Sequence, residues 1–371
     1  MLLCGTAALG GESMKNMLAC IVLCVCCAGL FAYNPPYGGE ELFRLTNPEL
    51  MRGAASAAGG PDFTVVPSSI TYNPALSAGE QRVGIDLSGT AFFNNDKIRI
   101  EGAKSDKSVG GGFQAGMIIP TRWSVFSFTT SALFADFYGM DVRKTAIVHA
   151  GVAKELTDRL CVGANIYTGF YMGSGADFSI GADLGALYKM EDFGIFQSPR
   201  LGFSLLNMGK PADYDTLGID DDASSSPYPS IFTPRASFAA TLFRAKKWTG
   251  GFSADAAFPA FQNCIADLGF GVDYNNFVRL SAAWQANIRE IAEGGMDGLS
   301  SFSVGASFRI GITSKTISEK NADWERSEIV PAVATQSLYS GIQAVSFGAK
   351  LDLGLKDTEA PEIYMWNEAA K

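Results

Sequence analysis

Residues 264–288 alternate regularly between apolar and polar side chains. From 266 to 274 every second residue is apolar or aromatic, and the residues between them are aspartate or glycine. From 278 to 288 the alternation resumes, with arginine, serine, glutamine and asparagine on the second face. A period of two predicts strands. Asn275-Asn276 predicts a tight turn between them, because asparagine tolerates the positive φ that short hairpin loops need.

Each half of this hairpin is long enough to cross a lipid bilayer. A tilted membrane strand needs about 9–11 residues. In a soluble sandwich the polar face of such a strand would meet bulk water, whereas in a membrane barrel the apolar face meets lipid and the polar face lines the lumen. The rest of the chain decides between these two architectures.

The same alternation recurs through most of the chain after residue 82. Thirteen segments carry it: 83–93, 112–119, 123–137, 144–154, 160–170, 178–189, 200–207, 235–243, 252–258, the two halves of the hairpin, 302–312 and 342–355. Single-chain bacterial barrels have even strand numbers, with short turns at one end and longer loops at the other. We therefore predict an all-β fold, a transmembrane antiparallel β-barrel of 14 strands with 12 as the alternative. The unassigned strand is expected in 313–339 or, failing that, in 363–366.

Composition agrees with an exported membrane protein. The chain of 371 residues has 41 Gly and 26 Phe, only 18% charged residues and a net charge of −9, which disfavours nucleic-acid binding. Residues 14–32 resemble a secretory signal, with a basic start, an apolar run and small residues near Ala32. Met14 is then the expected start and residues 1–13 an upstream extension, while 23–27 leaves a lipoprotein signal as an alternative. Beyond this segment no apolar run approaches the length of a spanning helix.

Residues 33–82 differ from the barrel segments in their pattern of apolar and polar residues. They lack long alternation, and Asn47 followed by Pro48 predicts the start of a helix that extends to Ala58. Three domains follow: 1–32 as extension and signal peptide, 33–82 as a small, partly helical amino-terminal hatch, and 83–371 as the barrel.

The segment Asn73-Pro74-Ala75, between the signal and the first barrel strand, resembles the outer-membrane long-chain fatty-acid transporter (FadL) family. The stretch 205–209, the polar loop after it and Tyr228-Pro229 resemble related barrels of secretion systems, and the chain as a whole resembles spirochaete members of the superfamily. The resemblance covers about 34–355. The ending 367–371 departs from the usual terminal aromatic strand residue.

This resemblance implies a lumen plugged by the amino-terminal hatch. A hydrophobic ligand, such as a fatty acid, would be captured outside, shift the hatch and leave sideways through a gap in the wall. Asn73, Pro74 and Ala75 would lie in the plug, where proline fixes φ and asparagine satisfies local backbone groups. An ordinary Asn-Pro turn before the first strand is the alternative interpretation.

Few residues in the chain suggest chemistry. The single histidine, His149, is interpreted as a polar lining residue. Cys161 and Cys264 point to opposite sides of the sheet, so neither a disulfide nor a His/Cys metal site is expected. No phosphate-binding loop or nucleophile elbow is found, and we expect neither an enzyme nor a cofactor. The triad Asp220-Asp221-Asp222 is interpreted as a solvated loop.

Four arginines fall on polar strand faces and are candidate partners for a fatty-acid carboxylate: Arg235, Arg279, Arg289 and Arg309. The alternative is that they pair with the lumenal carboxylates of Asp86, Asp255, Asp267 or Asp273.

Three functions are compatible with these sequence features. The first is a monomeric, hatch-gated outer-membrane transporter for long-chain fatty acids or similar hydrophobic compounds, with outer-membrane lipid around it. The second is a structural or interaction barrel, such as a secretion-system component or surface antigen. The third is a general porin with an open lumen.

Overall fold

The computed structural model describes residues 39–53, 56–60, 64–94, 109–137, 140–172, 175–212, 229, 232–288, 291–292, 301–312, 327–338 and 342–354. The expected signal peptide, the acidic triad 220–222, Arg289 and the alternative strand 363–366 lie outside these residues.

Antiparallel strands make up most of the described structure. They are β1 (Val83–Asn94), β2 (Val109–Pro120), β3 (Val125–Phe137), β4 (Met140–Thr157), β5 (Leu160–Met172), β6 (Ala176–Lys189), β7 (Gln197–Lys210), β8 (Thr233–Ala245), β9 (Trp248–Ala257), β10 (Ile265–Tyr274), β11 (Val278–Asn287), β12 (Ser301–Phe308), β13 (Ile310–Ile312), β14 (Ser327–Ser337) and β15 (Ile342–Leu353).

The strands close into a ring. Neighbours in sequence pair with one another, and β1 pairs with β15 from Val83 opposite Leu353 to Asn94 opposite Ile342. The short β13 continues β12 past Arg309, and both pair with β14, so the two pieces form one barrel strand. The ring therefore has 14 strands, as predicted. The strand that the alternation left unassigned is β14, within 313–339.

The two faces of the wall differ as the alternation predicts. On β10, Phe270 is 56% exposed on the outer face, whereas Asp267 on the inner face is 1% exposed. Large apolar residues cover the outside on all sides of the ring, including Leu87, Ile166 and Phe347. An apolar belt of this extent is stable only against acyl chains. The protein is thus a membrane barrel of the bacterial outer-membrane type.

The hairpin of β10 and β11 turns through three residues, one more than the expected two. Tyr274 pairs with Val278, which leaves Asn275, Asn276 and Phe277 in the loop. Both asparagines have positive φ, 57° and 54°, and the backbone N–H of Asn276 donates to the Asp273 carboxylate at 2.7 Å. The left-handed conformation explains why asparagine occupies both positions.

Helices in the described part of the chain are short and lie mainly before β1. The α-helix α1 (Pro48–Arg52) is preceded by a 3₁₀ helix at Gly39–Thr46 and followed by two more at Pro67–Thr71 and Pro74–Gly79, and another lies at Pro259–Phe261. The expected helix to Ala58 is wrong in length. It ends at Arg52, and the backbone N–H of Ala57 instead donates to the Asp255 carboxylate at 2.9 Å. None of the helices in the described residues is long and apolar enough to span a membrane.

The connections define two ends of the barrel. Five short ones, 121–124, 158–159, 190–196, 246–247 and 275–277, lie at the end where β1 begins, together with 313–326. We call this the short-turn end. The opposite, long-loop end carries 95–108, 211–232 and 288–300 among its connections. In outer-membrane barrels short turns face the periplasm and long loops face outside.

The membrane belt can be tested at Phe270. Replacing it with arginine places a charge on the lipid face near the middle of β10, and we expect the free energy of unfolding to fall by about 2–4 kcal/mol. Urea titration of the barrel refolded into lipid vesicles measures this change. Phe270→Leu is the control for lost ring packing. An equal, small loss for both variants would show that this face does not contact lipid.

Candidate functional site

The described residues of the amino-terminal segment 39–82 lie in the barrel lumen, and we call them the plug. At the long-loop end, Leu42 and Leu45 pack against wall residues that include Phe92, Leu133 and Ile342. The chain then descends past β12 and β14, crosses the lumen and reaches the short-turn end, where Lys350 contacts Glu80 at 3.4 Å. The expected hatch is therefore inside the barrel.

Asparagine caps begin two of the plug helices. The Asn47 side chain accepts the backbone N–H of Glu49 at 2.9 Å, and the Asn73 side chain accepts that of Ala75 at 2.9 Å. A proline follows each asparagine, at the first helical position, where its missing N–H is not needed. These caps stabilise helices that are too short to persist alone in water.

Asn73 is also the residue that fixes the plug to the wall. Its amide nitrogen donates to the carbonyl of Ala57 at 2.6 Å and to the carbonyl of Ala186, on β6, at 2.9 Å. One side chain thus joins two parts of the plug to each other and to the barrel. The Asn73-Pro74-Ala75 motif lies in the plug, at its contact with β6.

Inward-facing glycines provide the space for the plug backbone. A Cβ added at Gly163 would overlap the backbone of Pro74, and one at Gly202 would overlap the backbone at Ala57 and Ala58. At Gly116 the added atom would lie 2.5 Å from Pro67. Because these positions are on different strands, the plug is seated on several sides of the lumen at once.

Buried polar and charged groups of the plug and the wall find partners at their interface and within the plug. Arg44 lies 3.4 Å from the Asp267 carboxylate, and the Asn47 amide donates to Asp86 at 2.7 Å. Arg52 pairs with Glu49 at 2.8 Å and donates to the Ser281 hydroxyl at 3.0 Å. All of the charged groups among these are almost fully buried, so removing one partner would leave a costly unpaired charge.

A small cavity of about 80 Å³ remains between the plug and the wall. Apolar and aromatic residues make up nine of its 16 lining residues, and seven are polar or charged. The plug contributes Phe43 and Tyr72, and the wall contributes Ile147, Leu206, Ala257 and Ile265.

The polar part of the cavity lining contains a connected network. His149 on β4 and Asp183 on β6 both line the cavity, and Asn165 on β5 lies between them. The Asn165 amide nitrogen is 2.9 Å from His149 Nδ1 and donates to Asp183 at 2.6 Å. The register creates this arrangement, since Asn165 lies directly opposite Asp183 and two residues before Tyr167, the partner of His149.

The same network ends at an irregularity in the wall. The register of β6 and β7 shifts between Ala182 and Leu184, so that Leu206 and Asn207 together oppose Asp183. Asn207 has a φ of 61°, and its N–H donates to the Asp183 carboxylate at 2.7 Å instead of to a strand carbonyl. This β-bulge therefore borders the cavity and is bridged by a side chain.

The candidate arginines lie in different surroundings. Arg235 lines the cavity, pairs with Asp255 at 2.7 Å and with Asp267 at 3.7 Å, and stacks over the Tyr72 ring at 4.4 Å. Arg279 and Arg309 are not among the residues that line the cavity.

Arg279 pairs with Asp273 at 2.7 Å and also contacts Thr64 of the plug. Arg309 lies 3.8 Å from Glu328.

Asn165 and Asp183 are site residues that were not expected from the sequence. Both occupy inward-facing positions of their strands, but only the strand register brings them beside His149.

Within the described residues Cys161 and Cys264 are free, and no cluster of histidine, cysteine and carboxylate side chains could hold a metal ion.

Gly202→Ala tests the seating of the plug. The added methyl group overlaps the plug backbone, so we expect the plug to shift and the ion conductance of the barrel in planar bilayers to rise. Gly311→Ala is the matched control, because a methyl group there meets no atom within 4 Å. An unchanged conductance in Gly202→Ala would contradict the close contact.

Asn73→Ala tests the attachment by side-chain hydrogen bonds. The substitution leaves buried carbonyls without their donor, at a cost of about 1–3 kcal/mol each. We expect faster amide exchange across residues 64–80, measured by mass spectrometry. Ser77→Ala is the control, since the Ser77 hydroxyl is buried and has no hydrogen-bond partner among the described residues. Equal rates of amide exchange in both variants would show that the Asn73 side chain does not fix the plug to the wall.

No protein-family model and no curated protein sequence matches the chain. Solved structures do resemble it. A FadL homologue from Pseudomonas aeruginosa is 14% identical, with 83% of this chain and 98% of that chain covered and a TM-score of 0.48. The toluene transporter TbuX of Ralstonia pickettii is 11% identical, with 84% and 98% covered and a TM-score of 0.49.

The toluene transporter TodX of Pseudomonas putida is 14% identical, with 82% and 98% covered and a TM-score of 0.44. The similarity to FadL-type proteins that the sequence suggested is thus found among solved structures. What each of them transports is a property of that protein. By its own strand pairing and its buried amino-terminal segment, this chain is a 14-stranded β-barrel of the outer-membrane type whose lumen holds that segment.

Proposed function

We propose that the protein is an outer-membrane transporter for hydrophobic small molecules, gated by its plug. The observation that supports this most directly is the apolar cavity between Phe43 and Tyr72 of the plug and Ile147, Leu206 and Ile265 of the wall. Apolar cavities with a few polar groups are typical of ligand sites. Long-chain fatty acids, the ligand class implied by the sequence resemblance, belong to the compounds that we would test first.

The position of the cavity connects ligand binding to the plug. An occupant contacts Phe43, Arg44 and Tyr72, which belong to the plug, and the wall opposite them. Arg44 in turn holds the plug to Asp267 on β10. A ligand that binds one arrangement of these residues better than another shifts the plug between them. Gating by the hatch is therefore part of the proposal.

The β-bulge between β6 and β7 is the exit that we propose. At this point the strand ladder is replaced by the contact of Asp183 with the Asn207 N–H, and both residues border the cavity. A side-chain bridge can open without breaking the rest of the ladder. A hydrophobic ligand that leaves here enters the acyl chains directly and avoids water.

Passive movement of a ligand through the cavity needs no catalytic group and no cofactor, and we propose neither. The ring of 14 strands closes within one chain, so no strand edge requires a second subunit, and we propose a monomer. The open porin is the less favoured function, because the plug occupies the lumen.

Ile147→Trp provides the test of this function. The larger side chain fills the cavity from the inner face of β4, and we expect uptake of a fluorescent hydrophobic probe, by bacteria that carry the protein in their outer membrane, to fall at least severalfold. Val148→Trp is the matched control, since Val148 is the next residue of β4 and lies on the lipid face, 44% exposed.

Two outcomes would contradict the proposal. Equal uptake through wild type and Ile147→Trp would mean that the cavity is not on the route. Large open-pore currents through the wild-type protein in planar bilayers, without binding of any hydrophobic compound, would favour the porin.

A further inference from the structure

The cavity wall contains one hydrogen-bond donor whose proton position follows from its neighbours. Asp183 accepts the Asn207 N–H on one oxygen and faces Asn165 with the other. A carboxylate only accepts, so the group of Asn165 that faces it must be the NH₂. The second hydrogen of this NH₂ is directed to His149 Nδ1, at 2.9 Å.

This chain of contacts makes His149 a neutral donor. Because the Asn165 amide nitrogen donates, His149 Nδ1 must accept and carries no proton. The ring proton is then on Nε2. His149 lines the cavity and packs against the Tyr167 ring, with the centroids 5.3 Å apart. The cavity therefore offers an occupant the uncharged N–H group of His149, in a lining that also holds the Asn207 amide and apolar side chains.

Both arginines that line the cavity are already paired with carboxylates of the wall. Arg235 pairs with Asp255 and Asp267, and Arg44 pairs with Asp267. Asp183 adds a further carboxylate at the lining. A ligand carboxylate would have to break one of these buried ion pairs and would lie near the negative charge of Asp183. The lost ion pair and the repulsion cost more free energy than the new contact with the released arginine returns.

From this geometry we infer that the cavity selects uncharged molecules with an apolar body and one hydrogen-bond acceptor, such as alcohols, esters or ketones, over carboxylate anions of the same size. His149 is the specificity-determining residue. The inference rests on the proposed transport of hydrophobic compounds and names the class of ligand within it.

Matched ligands test this selectivity on the full-length protein purified in detergent. Toluene, benzyl alcohol and benzoate share one ring and differ in the polar group, and octan-1-ol and octanoate repeat the comparison on an alkyl chain. At pH 7 we expect the alcohols to bind at least tenfold more tightly than the matching anions, as measured by isothermal titration calorimetry.

Substitutions at His149 separate a specific role from a structural one. His149→Phe keeps the ring but removes the donor, and we expect it to weaken binding of benzyl alcohol by roughly two- to tenfold, the range of one neutral hydrogen bond. Toluene binding should not change. His149→Gln retains an N–H donor and should restore selectivity for the alcohol. The shift in gel mobility on heating monitors correct folding of each variant.

The outcomes distinguish this inference from the proposed function. Benzoate and octanoate binding as tightly as the alcohols, or alcohol binding unaffected in His149→Phe, would overturn the selectivity and leave transport of hydrophobic compounds standing. Failure of all five ligands to bind the folded wild-type protein would contradict the cavity as a ligand site, and both proposals with it.

Discussion

The polar inner face of the barrel must find hydrogen-bonding partners, and the plug supplies many of them. Asp86, Asp255 and Asp267 are buried carboxylates of the wall, and each meets a donor from the amino-terminal segment. Buried charges without partners are costly. The plug is therefore part of what makes this inner face stable, as well as an obstacle in the lumen. Any movement of the plug must exchange these contacts for others or for water.

The inner face of the wall also leaves space for the backbone of the plug. Glycines at positions 116, 163 and 202 leave room where the plug backbone approaches the strands, and a single methyl group at the last two would overlap it. Fits of this kind are discrete, because packed surfaces do not deform continuously. The plug thus has a defined seat, and a ligand that alters its position has to move it from one arrangement to another.

The cavity lies between the plug and the wall, with residues of both in its lining. It lies beside the β-bulge of β6 and β7, and Asp183 belongs to the cavity, to the bulge and to the network with Asn165 and His149. Local irregularity in a strand often accompanies function. The cavity, the network of His149 and an irregular point of the neighbouring strand ladder therefore occur together.

The alternation of apolar and polar residues determined the barrel. It set which side chains face lipid, because the period of a strand is two. The even strand number of single-chain bacterial barrels then led to β14 within 313–339. Asn47 predicted a helix start through its local hydrogen bonds, and Asn73 begins another in the same way. Local rules misjudged the length of α1, which ends at Arg52, and farther on the N–H of Ala57 donates to Asp255, which is 198 residues away.

Only the tertiary structure decided the site. Nothing in the order of residues places His149, Asn165 and Asp183 in one network, since their contact depends on the register of three strands, and a register shift of one residue would turn each to the other face. Likewise, four arginines were candidate partners for a ligand carboxylate because each falls on the polar face of its strand. Only ring closure places Arg235 in the cavity lining and pairs it with Asp255. Periodicity is a local property of the chain, whereas proximity across the lumen arises only when the ring closes.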